Sequence, residues 1–419
     1  MPIDALPNSA TNPLYIYLHP PTDGKSKFTT GDLVQGKLQV QMLGYHQEIT
    51  CTLNGFMNCN VIEDGTVQSY STALFKIHSN KYQVYGIDST GALGRREFPF
   101  QFRFPDTVEL PPHPAFLQRS GFECSIGHTP PPSSISNMLH SHSSQIKYYI
   151  EATSVRARGN IRGLTVRQNI SYIPPTPSTI KDMAGDSLIP QASISGPSHF
   201  VHIQTNKLRP ESARSDSLLE RLKSKRHEVA PSVSFSISAH VPQIAIMGQS
   251  LPITLSLEQT HSDLSDGQFP ELFLQKICIK LTSKVTVRVP VLATGRDTDF
   301  TTSQEHILKD AEFPKNSRLI YDGVMVEELT QGTGDVTVPR IILPGFSSYA
   351  INNAWEIQII ICGICAGEKF TRVVCKGPIR VYSGFVRSPV SRDDDHALEG
   401  EEIPPTEELP TYEQAIRSS

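Results

Sequence analysis

Phe98-Pro99-Phe100-Gln101-Phe102-Arg103-Phe104 sets a phenylalanine at every second position. A repeat of two belongs to a β-strand, whose successive side chains point to opposite faces, so the four rings share one face and Gln101 and Arg103 take the wet one. Pro99 has no N–H to donate, which puts this strand at a sheet edge or makes its pairing start late. The same alternation extends outward. Leu14, Ile16 and Leu18 share a face, and Ile49, Cys51 and Leu53 alternate with Thr50, Thr52 and Asn54. Ala73, Phe75 and Ile77 repeat the pattern, and Ile146, Tyr148, Ile150 and Ala152 close the series. Turn signals at Asp23-Gly24, Gly31-Asp32, Asp64-Gly65, Gly91 and Pro111 to Pro114 lie between these runs. Many short strands without a helical period indicate a sandwich or barrel.

The alternation lapses twice. From Ser120 to Ser144 the chain carries Pro130 to Pro132 and the cluster His140 to Ser144, too polar to serve a core, and reads as a long surface loop. From Pro174 to Pro231 proline, serine and charge dominate, which marks a linker. Within it Ser217 and Glu220 form a capping-box pair ahead of Leu222, with Lys223, Lys225 and Arg226 near the far end of a short helix that is marginal alone. That helix offers a basic contact for acidic lipid and an accessible lysine pair for modification. After Pro231 alternation resumes with Val233, Phe235, Ile237, Ala239 and Val241, then Ile253, Leu255 and Leu257, then Ile277, Ile279 and Leu281 leading to Val285, Val287 and Val289. Trp355, Ile357, Ile359 and Ile361 follow, then Val373, Ile379 and Val381. The expected organisation is all-β: an arm over 1–12, a β-sandwich over 13–175, a flexible linker over 176–230, a second sandwich over 231–383 and an acidic, disordered tail over 384–419.

Composition narrows the function classes. A chain of 419 residues is expected to form two or three domains, and 32 prolines among them mean substantial loop or linker. A formal net charge of -4 gives no general electrostatic footprint for nucleic acid, so no such partner is expected. Met1 to Asn12 has neither a basic lead nor an apolar run, and Ile357 to Ala366 is too short to span a bilayer and is interrupted by Gln358. A cytosolic protein is expected. Seven cysteines, an odd number scattered through the chain, fit reduced thiols better than a disulfide framework.

A search for catalytic or metal chemistry finds motifs that fail on mechanism. Gly31 to Leu38 has two glycines and Lys37 spaced as in a phosphate loop, but Leu38 stands where a magnesium-binding Ser or Thr is needed, and the pattern continues as strand. Cys362 and Cys365 have half-site spacing, yet i and i+3 on a strand point to opposite faces and no second pair answers them. His140 and His142 lack a convincing set of further ligands. No metal, cofactor or enzymatic activity is expected. Leu409-Pro410-Thr411-Tyr412 is different in kind: proline pre-sets an extended turn at low entropic cost and Tyr412 projects as an aromatic anchor. That arrangement suits the groove of a WW domain, delivered on an acidic tether.

Two sandwiches in tandem followed by such a motif resemble the arrestin superfamily, specifically the arrestin-related trafficking adaptors (α-arrestins) of fungi. Phe28 to Gly36, with Gly31-Asp32 ahead of Val34 and Gly36, is similar to the family's early hairpin. Phe98 to Pro105 is similar to its phenylalanine-rich strand before a proline-rich loop, and Ile146 to Ile150 resembles the strand after that loop. The resemblance covers about residues 13–383 as architecture. It implies two arrestin-like β-sandwich domains in a cytoplasmic adaptor, recruited peripherally to plasma membrane or endosomes with at most a weak membrane-surface contact. Leu409, Pro410 and Tyr412 match the Leu-Pro-x-Tyr form by which the family binds the WW domains of a HECT-type ubiquitin ligase. The implied partners are that ligase and the cytosolic tails of membrane transporters or receptors, with Lys223 and Lys225 as first candidates for ubiquitin acceptors. Pro404-Pro405 is followed by Glu407 where the motif needs tyrosine, so that second site is not expected to bind.

Overall fold

The computed structural model of the chain describes residues 6–387 apart from 22–24, 42–46, 64–65, 80, 85–94, 113, 115, 117–118, 139–141, 157–162, 181–192, 196–198, 210–228, 265–268, 292–295, 316 and 332–333. The chain up to Arg387 forms one compact unit; residues 388–419 are a separate unit and lie outside the described residues.

Alternation becomes strand as expected. The first half contributes β1 (Leu6–Pro7), β2 (Leu14–Leu18), β3 (Leu33–Gln41), β4 (Gln47–Glu63), β5 (Thr66–His78), β6 (Tyr82–Val84), β7 (Arg95–Arg103), β8 (Ser134–Met138), β9 (His142–Arg156) and β10 (Leu164–Ile170). They form two sheets, β2-β3-β7 and β1-β10-β9-β4-β5, the second with β6 added to β4 and β8 to β9. Their inner faces supply one core, in which Leu38, Phe100 and Phe102 of one sheet join Ile49, Leu53 and Ile150 of the other. Each such side chain contributes about 1.5–3 kcal/mol of burial free energy. As its Pro99 requires, β7 is an edge strand. Phe104 is fully buried just beyond it, stacked on Tyr172 with ring centroids 4.2 Å apart. Midway along β3, Gly36 lies opposite Phe100, where an added Cβ would stand 2.2 Å from the Tyr17 carbonyl oxygen and 2.5 Å from the Phe100 ring. Only glycine admits that approach.

The second half contributes β11 (Ser193–Ser195), β12 (His199–Gln204), β13 (Ser232–Pro242), β14 (Ile244–Ile246), β15 (Thr254–Ser262), β16 (Leu272–Val291), β17 (Arg296–Glu312), β18 (Leu319–Ile320), β19 (Phe346–Ser347), β20 (Ile351–Cys365) and β21 (Glu368–Tyr382). One sheet has β11 and β12 on successive stretches of β13, with β15 also paired to β13; the other runs β14-β21-β20-β16-β17, with β18 on β16 and β19 on β20. A second core fills the space between them, from Phe235, Ile237 and Leu255 to Ile279, Ile359 and Val381. The architecture is therefore all-β, in sandwiches without a closed barrel.

Several local readings differ from the structure. Ala73 was expected to share a face with Phe75 and Ile77, but it is exposed while Leu74 and Phe75 are both buried. The register shifts between Gly55 and Phe56, leaving Leu74 as the extra residue of a bulge, which flips every side chain before it. The segment 120–144 is no simple surface loop: Pro130 to Pro132 are buried, Tyr148 Oη donates to the Pro131 carbonyl at 2.6 Å, and β8 lies within it. Finally, β11 and β12 fall inside the span read as linker, where Val201 and Ile203 are buried. Two alternating apolar residues in a polar stretch give too little signal to distinguish a short strand from a loop.

β16 joins the halves. At 20 residues it is long enough, at about 3.3 Å per residue, to serve both cores. Leu272, Leu274, Ile277, Ile279 and Leu281 belong to the second core, whereas Val287 and Val289 belong to the first. Its partner β20 divides likewise, with Ile351 in the first core and Trp355 to Ile361 in the second. At the changeover sits a buried polar pair, Ser283 Oγ donating to Asn353 Oδ1 at 2.9 Å, while Asn353 Nδ2 donates to the Pro344 carbonyl at 3.0 Å.

Candidate functional site

The bulge at Leu74 has a consequence for the junction between the halves. Its carbonyl, released from the β4–β5 ladder, accepts from the amides of Glu109 and Leu110, both at 3.0 Å. Those bonds fix the start of the segment that leads from Phe104 to β8. Further along, the Val108 amide donates to the His128 carbonyl at 2.8 Å, and the Glu123 amide donates to the Ser348 carbonyl at 3.1 Å. Ser347 Oγ and Asn352 Nδ2 both donate to the Gly121 carbonyl, and Tyr349 Oη donates to that of Leu110 at 2.9 Å. Backbone groups that would be costly to bury unpaired thus find partners across the junction.

Arg288, on β16 between Val287 and Val289, is fully buried there. Its Nε donates to the Tyr349 carbonyl at 2.7 Å, and its guanidinium carbon lies 4.7 Å from the Phe122 ring centroid and 5.3 Å from that of Phe116. A planar, weakly hydrated cation suits this place between rings and a carbonyl. Nearby, Arg119 holds Asp299 through both carboxylate oxygens, at 2.9 and 2.8 Å. His128 packs edge-on against Tyr349 with centroids 4.8 Å apart; burial pulls its pKa down, against smaller upward effects of the Ser125 carbonyl and Glu123. Burial raises the Tyr349 phenol to about 12. The end of the compact unit also folds onto the first half. Ser383 Oγ donates to the Pro174 carbonyl at 2.6 Å, and Arg387 grips Asp106 through both oxygens at 3.0 and 2.8 Å.

Three of the cysteines are unsuited to nucleophilic chemistry. All seven are free, and burial raises the thiols of Cys51, Cys59 and Cys365 to about 12, so they stay protonated and inert. Cys362 and Cys365 do point apart: Cys365 is buried, while the outward Cys362 sulfur accepts from Thr371 Oγ1. Gly31 stands at a turn with φ 82°, and β3, not a helix, follows it. Among the described residues no group of three or more His, Cys, Asp or Glu side chains could hold a metal ion. No described helix is long and apolar enough to cross a membrane.

The residues singled out in the sequence fall elsewhere. Leu409, Pro410 and Tyr412, and Lys223 and Lys225 with the short helix around them, lie outside the described residues. The junction of Arg288, Tyr349, His128 and Phe122 was missed because its members come from segments far apart in the chain, none alternating around them in a distinctive way. Among comparisons with known proteins, no family model matches this chain and no curated protein is significantly similar to it.

Proposed function

We propose that this protein is an arrestin-like adaptor that recruits a HECT-type ubiquitin ligase through Leu409, Pro410 and Tyr412. It directs ubiquitination, and thereby endocytosis or sorting, of plasma-membrane transporters or receptors. The observation that carries this reading is the Leu-Pro-x-Tyr sequence at 409–412, in a chain whose described residues form an all-β body. Two sandwiches sharing β16 and β20 support it, because strands that run through both cores hold surfaces of the two halves at a fixed separation. In this reading the body binds a cytosolic tail of the cargo while Tyr412 fills the WW-domain groove. The protein is cytoplasmic and is recruited peripherally to membranes that hold its cargo, with a weak contact at the membrane surface. Lys223 and Lys225 are the adaptor's own first acceptors.

A reconstituted ubiquitination reaction with the full chain, E1, E2 and a HECT-type ligase carrying WW domains tests this. The full chain should be modified, Tyr412→Ala should lose most modification, and Lys223→Arg with Lys225→Arg should lose part of it. Equal modification of the Tyr412→Ala chain would make the tail irrelevant to the ligase, and no modification of either chain would leave a scaffold role in signalling or vesicle sorting, without ligase recruitment, as the better reading.

A further inference from the structure

A groove of about 750 Å³ opens where β19, β20 and β21 meet, with Ser193 and Ile194 of β11 on one side and Gln243 at the start of β14. Its size falls in the range of natural ligand sites. The alternation of β21 builds it: Ile379 and Val381 turn into the second core, which leaves Pro378 and Arg380 exposed along the groove. Phe346 and Tyr382 add aromatic surface, and the small side chain of Ala354 leaves the middle open. Of all the residues that line it, Arg380 alone is charged. Neighbouring cations on the same sheet are matched: Lys284 and Lys376 both meet Glu356, and Lys276 meets Asp310 and Glu312. The Arg380 backbone amide donates to the Gln243 carbonyl at 2.8 Å, which fixes its position, but its guanidinium has no acidic partner among the described residues.

We infer that this groove binds an extended peptide segment carrying an acidic side chain, with the carboxylate on Arg380. A guanidinium offers a planar fork of donors to a carboxylate, and a single cation among uncharged walls selects one anion over a neutral or basic side chain. The Gln243 side-chain amide, a donor and an acceptor together, suits a peptide group beside that carboxylate. Proline and aromatic surfaces favour an extended chain over a compact polar ligand. This inference uses neither the 409–412 motif nor the ligase, and goes beyond them.

Isothermal titration calorimetry follows occupancy of the groove without depending on a side chain of the core. The test titrates the full chain, at fixed pH 7.5, with three nonapeptide libraries that differ only in a central Glu, Gln or Lys. The Glu library should give a saturable heat of binding and bind about tenfold or more tightly than the Gln library, the size expected of a charge-assisted bond. The Lys library should not bind. Arg380→Gln, an exposed substitution, should erase the Glu preference, and Ala354→Trp, also at an exposed position, should block binding by filling the groove. Equal response to the Glu and Gln libraries, no response to any, or a Glu preference that survives Arg380→Gln would overturn the inference.

Discussion

Arg288 Nε donates to the backbone carbonyl of Tyr349 at 2.7 Å, and the two residues come from strand β16 and the turn before β20, the strands on which both cores converge. Since β16 carries Val287 and Val289 into the first core and Ile277 to Leu281 into the second, that bond sits where the halves are held together.

Arg288→Ala should therefore destabilise the compact unit by about 3 kcal/mol, through lost packing against Phe116 and Phe122 and an unsatisfied buried carbonyl. Arg288→Lys should recover little, because a point cation on a flexible stem cannot both lie flat on a ring and donate from the Nε position. Asp106→Asn, which weakens only the exposed pair with Arg387, should change stability by less than about 1 kcal/mol. Urea denaturation of the three variants checks the order; an Asp106→Asn effect larger than that of Arg288→Ala would contradict it.

The bulge on β5 makes a second prediction. Ala73→Thr, on an exposed strand position, should lie within about 0.5 kcal/mol of the natural chain, whereas Leu74→Ala should cost about 3 kcal/mol. A strict alternation of Ala73, Phe75 and Ile77 would give the opposite ranking, so thermal or urea unfolding of two variants decides between the registers.

His128 gives the unit a pH dependence. Its folded pKa lies below the ordinary imidazole value of 6.5, chiefly through burial, with the Ser125 carbonyl and Glu123 pulling the other way. Above 6.5 neither folded nor unfolded chain holds this proton, and the full stability is present. Below it the unfolded chain takes up the proton first, so stability falls as pH falls, until the folded-state value is reached. His128→Gln should flatten that part of the stability profile between pH 7 and 5. An unchanged slope in the variant would remove His128 as its source, leaving His306, whose pKa is also lowered by burial.

Thiol labelling reads the cores directly. At pH 7.5 the native chain should label last at Cys51, Cys59, Cys365 and Cys375, all buried, and earlier at the partly exposed Cys124 and Cys362. Mass spectrometry of partially alkylated protein gives the order, and early modification of Cys51 or Cys59 would mean that the first core opens readily.

Long alternating runs carried the fold, since Phe100, Phe102, Ile237 and Ile359 are buried where a period of two puts them. What alternation hides is any place where it breaks. One inserted residue at Leu74, and another at Val374 where the register shifts between Ile359 and Ile360, reverses the sides of a strand without a distinctive residue to announce it. Val285, Val287 and Val289 were legible as strand, but not as members of the other half's core, because that assignment depends on where β16 ends up in space. The polar segment after Ser120 looked like surface, yet its backbone groups pair with Ser348 and Asn352, contacts that no periodicity encodes. In sequence Arg380 is an ordinary strand residue; only the fold sets it on one sheet with Lys276, Lys284 and Lys376, each of which has an acidic partner.

The adaptor reading is tested most directly by titrating a peptide covering Glu401 to Ser419 with isolated WW domains of a HECT-type ligase, beside the same peptide carrying Tyr412→Ala. Saturable binding in the micromolar range that the substitution abolishes is the expected result. Absence of binding by the natural peptide, or equal binding by both, would contradict recruitment through Leu409, Pro410 and Tyr412.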